Sequence, residues 1–153
     1  MSWRALTEDD IRAAMAGPED TAYRETLLAT GQTDPLPEII SHVTTQVRNA
    51  IRSCAKNRLH ADASYLPEGA IYHAVSLVRY RLLSRFAIGE QDQPGEARTN
   101  EYREALRWLE LVRSCREVVD QPDGNGTETA GSQIEVLSNN PREATRDNLK
   151  GLY

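Results

Sequence analysis

Residues 35–59 read PLPEIISHVTTQVRNAIRSCAKNRL. Leu36, Ile39, Ile40, Val43, Val47, Ala50, Ile51, Cys54 and Leu59 recur at the helical period, while Arg48, Arg52, Lys56 and Arg58 fall on other faces. The spacing predicts one long amphipathic helix over 35–59. Asp34 is its expected N-cap, and Pro35 takes the first helical position, where a missing amide costs nothing.

Working outward, Ile71, Ala74, Val75, Val78, Leu82 and Phe86 form a second stripe, widened by Leu77 and Leu83. This predicts a helix from about Pro67 to a stop at Gly89. Tyr102, Leu106, Leu109, Val112, Cys115 or Arg116, and Val119 predict a third over 96–119. Upstream, LTEDDIRAAM offers Thr7 as an N-cap with Asp10 three residues on, which predicts a short helix over 8–15 stopped by Gly17-Pro18. A second short helix over 19–29 carries Tyr23, Leu27 and Leu28 and stops at Gly31. Helices this short are marginal alone and must pack on the longer ones. Tyr102 and Trp108 are expected in the core, and Trp3 either caps that core or enters an interface.

After Val119 the composition changes. DQPDGNGTETAGS, residues 120–132, holds three glycines, one proline and no large apolar side chain, and reads as a mobile linker. IEVLS, residues 134–138, alternates with Ile134 and Val136 on one face and predicts a single strand, whose backbone needs a partner strand. The last sixteen residues, SNNPREATRDNLKGLY, are polar. Fixing their backbone costs about 16–32 kcal/mol, whereas burying Leu149, Leu152 and Tyr153 returns about 2 kcal/mol apiece. Such a tail is expected to be mobile in a free monomer and to order on docking. The expected fold is therefore all-α: a bundle of three long and two short helices forming a core over 1–119. A flexible linker and C-terminal docking arm with one short β-strand follow over 120–153.

At 153 residues the chain fits one domain, with a formal net charge of −5. The charge is uneven: −4 over 1–34, +4 over 35–89, −2 over 90–119 and −3 over 120–153. A mildly acidic chain is not the usual nucleic-acid binder. No apolar run is long enough to span a membrane, and MSWRALTEDD has acids where a signal peptide places its apolar stretch, so a cytoplasmic chain with no membrane partner is expected. Arg48, Arg52, Lys56, Arg58, Arg79, Arg81 and Arg85 are open to three readings: a solvated or internally paired face, a protein interface, or a surface that passes nucleic acid. EDTAYRETLLAT, which a helix-turn-helix would need as its recognition helix, is net acidic and argues against that motif.

Signals of catalysis are weak. His42, His60 and His73 are scattered, and no HExxH, GxSxG or glycine-rich phosphate loop occurs. Asp123, Asn125 and Glu128 resemble a calcium loop only faintly, because Gly124 and Gly126 break the spacing and the twelfth-position glutamate is missing. No enzyme activity, catalytic residue, cofactor or metal is expected. Cys54 and Cys115 are expected as packing residues, with a disulfide or a reactive thiol as the alternative.

The order of features resembles the Mu-like phage head-tail connector (head-completion or adaptor) family. The resemblance lies in TEDDIRAAM, in the long helix after Leu36-Pro37 with Val47, Ile51 and Leu59, in LPEGAIYHAVSLVRYRLL, and in YREALRWLELV. The ending adds Arg142, Ala144, Arg146, Leu149, Gly151 and Tyr153, with Ala144 standing where a bulkier residue is expected. The resemblance implies a virion neck protein, assembled in the host bacterial cytoplasm. Its partners would be copies of itself in a dodecameric ring, the portal protein and a tail or head-closure protein, with genomic DNA passing through the channel. Ile134, Val136, Arg142, Arg146, Leu149, Gly151 and Tyr153 would contact a partner, and Arg48, Arg52 and Lys56 would face the channel or an interface. The alternative is a small helical DNA-packaging accessory or regulatory protein that binds nucleic acid through residues 48–58.

Overall fold

Thr7 and Asp10 satisfy each other's backbone amides. Thr7 Oγ1 accepts the Asp10 N–H at 3.3 Å, and Asp10 Oδ2 accepts the Thr7 N–H at 2.9 Å, so this capping box opens α1 (Glu8–Ala14) as the sequence predicts. The computed structural model describes residues 2–31, 33–86, 95–123 and 128–129. Glu19 Oε2 accepts the Ala16 N–H at 2.8 Å at the start of α2 (Gly17–Thr30). That helix ends at Gly31, whose φ of 59° lies in the left-handed region that glycine enters without strain.

Asp34 Oδ1 accepts the Leu36 N–H at 2.9 Å at the head of α3 (Leu36–Arg52), but the N-cap position is taken by Pro35 and not by Asp34, so the helix opens one residue later than expected. Leu36, Ile39, Val43, Val47, Ala50 and Ile51 form its buried stripe. α4 (Glu68–Phe86) is the central helix. Every residue from Ala74 to Arg79 is buried, because α1, α2, α3 and α5 (Glu96–Arg113) all pack against it. Ala105, Trp108, Leu109 and Val112 close the core from α5. Each fully buried Leu, Ile or Val of this core contributes about 1.5–3 kcal/mol relative to its exposed state.

The all-α expectation needs correction. The protein is mostly helical, but β1 (Trp3–Ala5) pairs antiparallel with β3 (Tyr65–Pro67), Trp3 opposite Pro67 and Ala5 opposite Tyr65. A second pair joins β2 (Arg58–Leu59) to β4 (Glu128–Thr129). Strands of two or three residues are too short to display an alternating pattern, and their partners lie far away in sequence. The strand expected over 134–138 and the stop expected at Gly89 lie outside the described residues.

Two long helices end earlier than their periodicity predicts. α3 stops at Arg52; Cys54 then donates to Ile51 O at 3.2 Å and Asn57 to Cys54 O at 3.0 Å in a tight turn. Asn57 is fully buried, and its Nδ2 donates to Ile51 O at 3.4 Å. Leu59, although in phase with the helix, is buried from strand β2. α5 stops at Arg113. Cys115 has φ 57°, donates to Val112 O at 3.1 Å, and is followed by Arg116 donating to Leu111 O at 2.9 Å. This is a Schellman ending with a cysteine where glycine is usual. Cys115 and Cys54 are bonded to each other, Cα to Cα 5.2 Å, which corrects their reading as plain packing residues.

The chain then turns back across the core. The carbonyl oxygen of Asp120 accepts Trp3 Nε1–H at 3.0 Å, and Gln121 Oε1 accepts the Arg58 N–H at 2.8 Å. Gln121 Nε2 also donates to Asn57 Oδ1 at 3.4 Å, and Pro122 is buried. The first residues of the stretch expected to be mobile, Asp120 to Pro122, are thus held against the core. Trp3 itself is buried and caps the core.

Candidate functional site

Arg48 was expected to face a channel or an interface, and the structure turns it inward. Its guanidinium donates to three backbone carbonyls, of Asp62 at 2.9 Å, Tyr65 at 2.8 Å and His60 at 2.9 Å, and only 8% of the residue is exposed. A planar guanidinium serves these carbonyls from two separate nitrogens, whereas a lysine would have to reach them all from one. Arg48 therefore shapes the 60–65 loop. His60 is stacked between Trp3 and Tyr65 in that loop, with ring centroids 6.1 and 4.8 Å away. Arg52 and Lys56 are exposed, at the end of α3 and in the turn after it.

The rest of the basic middle segment is largely matched within the subunit. Arg79 is buried and bonds Glu101 at 3.1 Å. Arg98 bridges Glu19 at 2.8 Å and Glu101 at 2.9 Å, so one network ties α2, α4 and α5. Arg81 donates to Gln46 of α3. On the N-terminal side Arg4 grips Asp10 with two bonds of 2.8 and 3.0 Å. The Arg4 hydrogen bonds hold the Asp10 carboxyl down at about 2. Burial, followed by a hydrogen bond with Asp34, pushes the Tyr23 hydroxyl up. Of the three readings left open for these arginines, internal pairing accounts for Arg48 and Arg79.

A cleft of about 210 Å³ opens where α4 begins and α5 ends. Pro67, Gly69 and Ala70 form one wall; Trp108 and the segment Glu117–Asp120 form the other. Trp108 is fixed from two sides. Its ring stacks on His73 at 4.6 Å between centroids, and its Nε1–H donates to Glu117 Oε1 at 2.9 Å. Burial lowers the His73 pKa, which favours the neutral imidazole in this stack. Val118 stands 61% exposed on one lip, and Tyr72, one helical turn beyond Gly69, is 59% exposed. Tyr72 meets the edge of His73 at 5.4 Å. Sequence reasoning missed this cleft because its second wall comes from residues read as the last turn of a helix. The one available signal was Val118, an apolar side chain off the buried stripe of α5.

Ile134, Val136, Arg142, Arg146, Leu149, Gly151 and Tyr153 lie outside the described residues, so the structure does not place them. Among the described residues no group of three or more His, Cys, Asp or Glu could hold a metal ion, and no helix is long and apolar enough to cross a membrane.

The family model described as Bacteriophage Mu, Gp36 matches residues 6–137. No curated protein and no solved structure matches the chain.

Proposed function

The chain belongs to the bacteriophage Mu Gp36 family, and from that premise we propose that this phage protein is a structural, non-enzymatic subunit of the head-tail connector. In this reading identical subunits form a ring, dodecameric to match the portal. The ring docks on the portal at the neck of the virion, joins a tail or head-closure protein below, and passes the genome through its centre. The family match over residues 6–137 carries the reading.

A closed ring uses heterologous contacts, for which each subunit needs two different surfaces. With Arg48 and Arg79 paired inside the core, the surfaces proposed for outside contacts are the cleft, with Glu117 and Asp120 in its lining, and the C-terminal arm. Nucleic-acid binding through residues 48–58 loses support from the same observation, because Arg48 is engaged by carbonyls. In the proposed assembly Arg142, Arg146, Leu149, Gly151 and Tyr153 contact the portal or an adjacent subunit, with Ile134 and Val136 adding a strand.

Deleting residues 138–153 tests the proposal. The shortened chain is expected to keep its helical signal and melting transition while failing to attach to portal-bearing heads. Attachment at the wild-type level would remove the arm from the mechanism.

A further inference from the structure

The cleft beside Trp108 has a composition that specifies an occupant. Its walls carry Pro67, Ala70, Trp108, Val118 and Val119, and its lining contains two acids, Glu117 and Asp120, but no base. A volume of about 210 Å³ is below the range of a drug-sized ligand pocket and suits one or two apolar side chains with a neighbouring cation at the rim. The chain supplies such a segment beyond the described residues: Leu149, Lys150, Gly151, Leu152 and Tyr153, preceded by Arg146. Leu149, Leu152 and Tyr153 are the apolar anchors, and Lys150 and Arg146 complement the acids.

The reach is sufficient. From Thr129, paired to β2, to Leu149 there are twenty residues, which span about 65 Å when extended. We propose that the cleft lined by Gly69, Ala70, Trp108, Glu117, Val118 and Asp120 is the receptor for residues Leu149–Tyr153 of a second copy of this chain. Cleft and segment are then the two unlike surfaces that a head-to-tail contact requires. The inference rests on the proposed ring only in assigning the segment to a neighbour.

Gly69 makes the test clean. A Cβ at Gly69 meets no atom within 4 Å, so the cleft wall has room for a side chain to start there, and Gly69→Leu puts bulk into the cleft while favouring the helix. A fluorescent peptide of residues 138–153 is titrated onto full-length protein carrying Leu149→Asp and Leu152→Asp, with and without Gly69→Leu. Saturable binding that Gly69→Leu weakens at least tenfold, and that Glu117→Gln makes less sensitive to salt, is the expected result. No binding, or equal binding with Gly69→Leu, overturns the receptor whatever the wild-type mass shows about a ring. If Gly69→Leu fails to fold, Val118→Lys at the exposed lip replaces it with the same expectation.

Mixing full-length Gly69→Leu with full-length Leu149→Asp/Leu152→Asp identifies the donor. One blocked receptor and one blocked donor leave a single productive contact, so the mixture is expected to form a heterodimer while each variant alone stays monomeric. A mixture that stays monomeric although the peptide binds assigns the segment to its own cleft and overturns the second-copy assignment. Wild-type protein that remains monomeric alone and with portal contradicts the ring, while the peptide titration still decides the receptor.

Discussion

Cys54 and Cys115 are 61 positions apart and bonded to each other, with Cα atoms separated by 5.2 Å, and Cys115 holds a left-handed backbone at φ 57°. The bond fastens the end of α3 to the end of α5, where the chain begins its return past Trp108, Trp3 and Asn57.

Reduction is expected to lower stability by about 4 kcal/mol in the chain-entropy account of a closed loop of this length. Urea unfolding with and without reductant measures it. Under reducing conditions Cys115→Gly is expected to be about 1 kcal/mol more stable than Cys115→Ala, because only glycine adopts this φ without strain. Equal stabilities would contradict the role given to the backbone.

Arg48→Met is expected to cost about 2–4 kcal/mol, since three carbonyls bound at 2.8–2.9 Å lose their charged donor. Arg48→Lys is expected to recover only part of that loss. Charge reversal at Arg52 and Lys56, both exposed, is expected to leave the melting temperature within a few degrees. Thermal melts separate the two behaviours, and an Arg48 variant as stable as wild type would return this residue to the surface.

Apolar periodicity located the three long helices and capping residues the first short one, and Thr7 and Gly31 marked two helix ends correctly, because capping chemistry is local. The early ends of α3 and α5 were not legible. Leu59 and Val119 are both buried and in phase, yet they reach the core from a strand and from a returning loop. Periodicity records which residues are buried and not which element buries them. The two strand pairs and the disulfide join residues sixty or more positions apart, and no local pattern encodes that meeting. Arg48 shows the same limit at the level of the site: its place among basic residues suggested a surface, while its position on the inner side of α3 gave it three carbonyls.

Glu101→Ala removes the carboxylate that pairs with buried Arg79 and also with Arg98. The expected loss is about 3 kcal/mol, because the buried Arg79 guanidinium keeps only the more distant Glu19 carboxylate at 3.9 Å, and weakening a buried pair costs more than the pair contributes. The double variant Arg79→Met with Glu101→Leu is expected to recover most of it, as measured by a chemical denaturation cycle. A double variant as unstable as Glu101→Ala would contradict an electrostatic origin.

Acid is expected to destabilise the fold in two windows. His73 has a lowered pKa in the folded protein, so its contribution is complete above its ordinary value of 6.5 and is lost as pH falls through its folded value. Asp10 is held at about 2 against an ordinary 3.8, so its contribution is complete above 3.8 and lost as pH falls toward 2. With the Arg4 side chain 41% exposed, solvent screening reduces the Asp10 share to about 1 kcal/mol. His73→Phe should flatten the upper window and Asp10→Asn the lower one in stability measured against pH.

A ring subunit that docks on the portal must change the portal's mass. The most direct test is the mass of the full-length protein alone and mixed with purified portal, by native mass spectrometry. A complex of portal with a whole ring of this chain, one subunit for each portal subunit, is expected. A portal mass unchanged by an excess of the protein, with the chain remaining monomeric in the mixture, would contradict it.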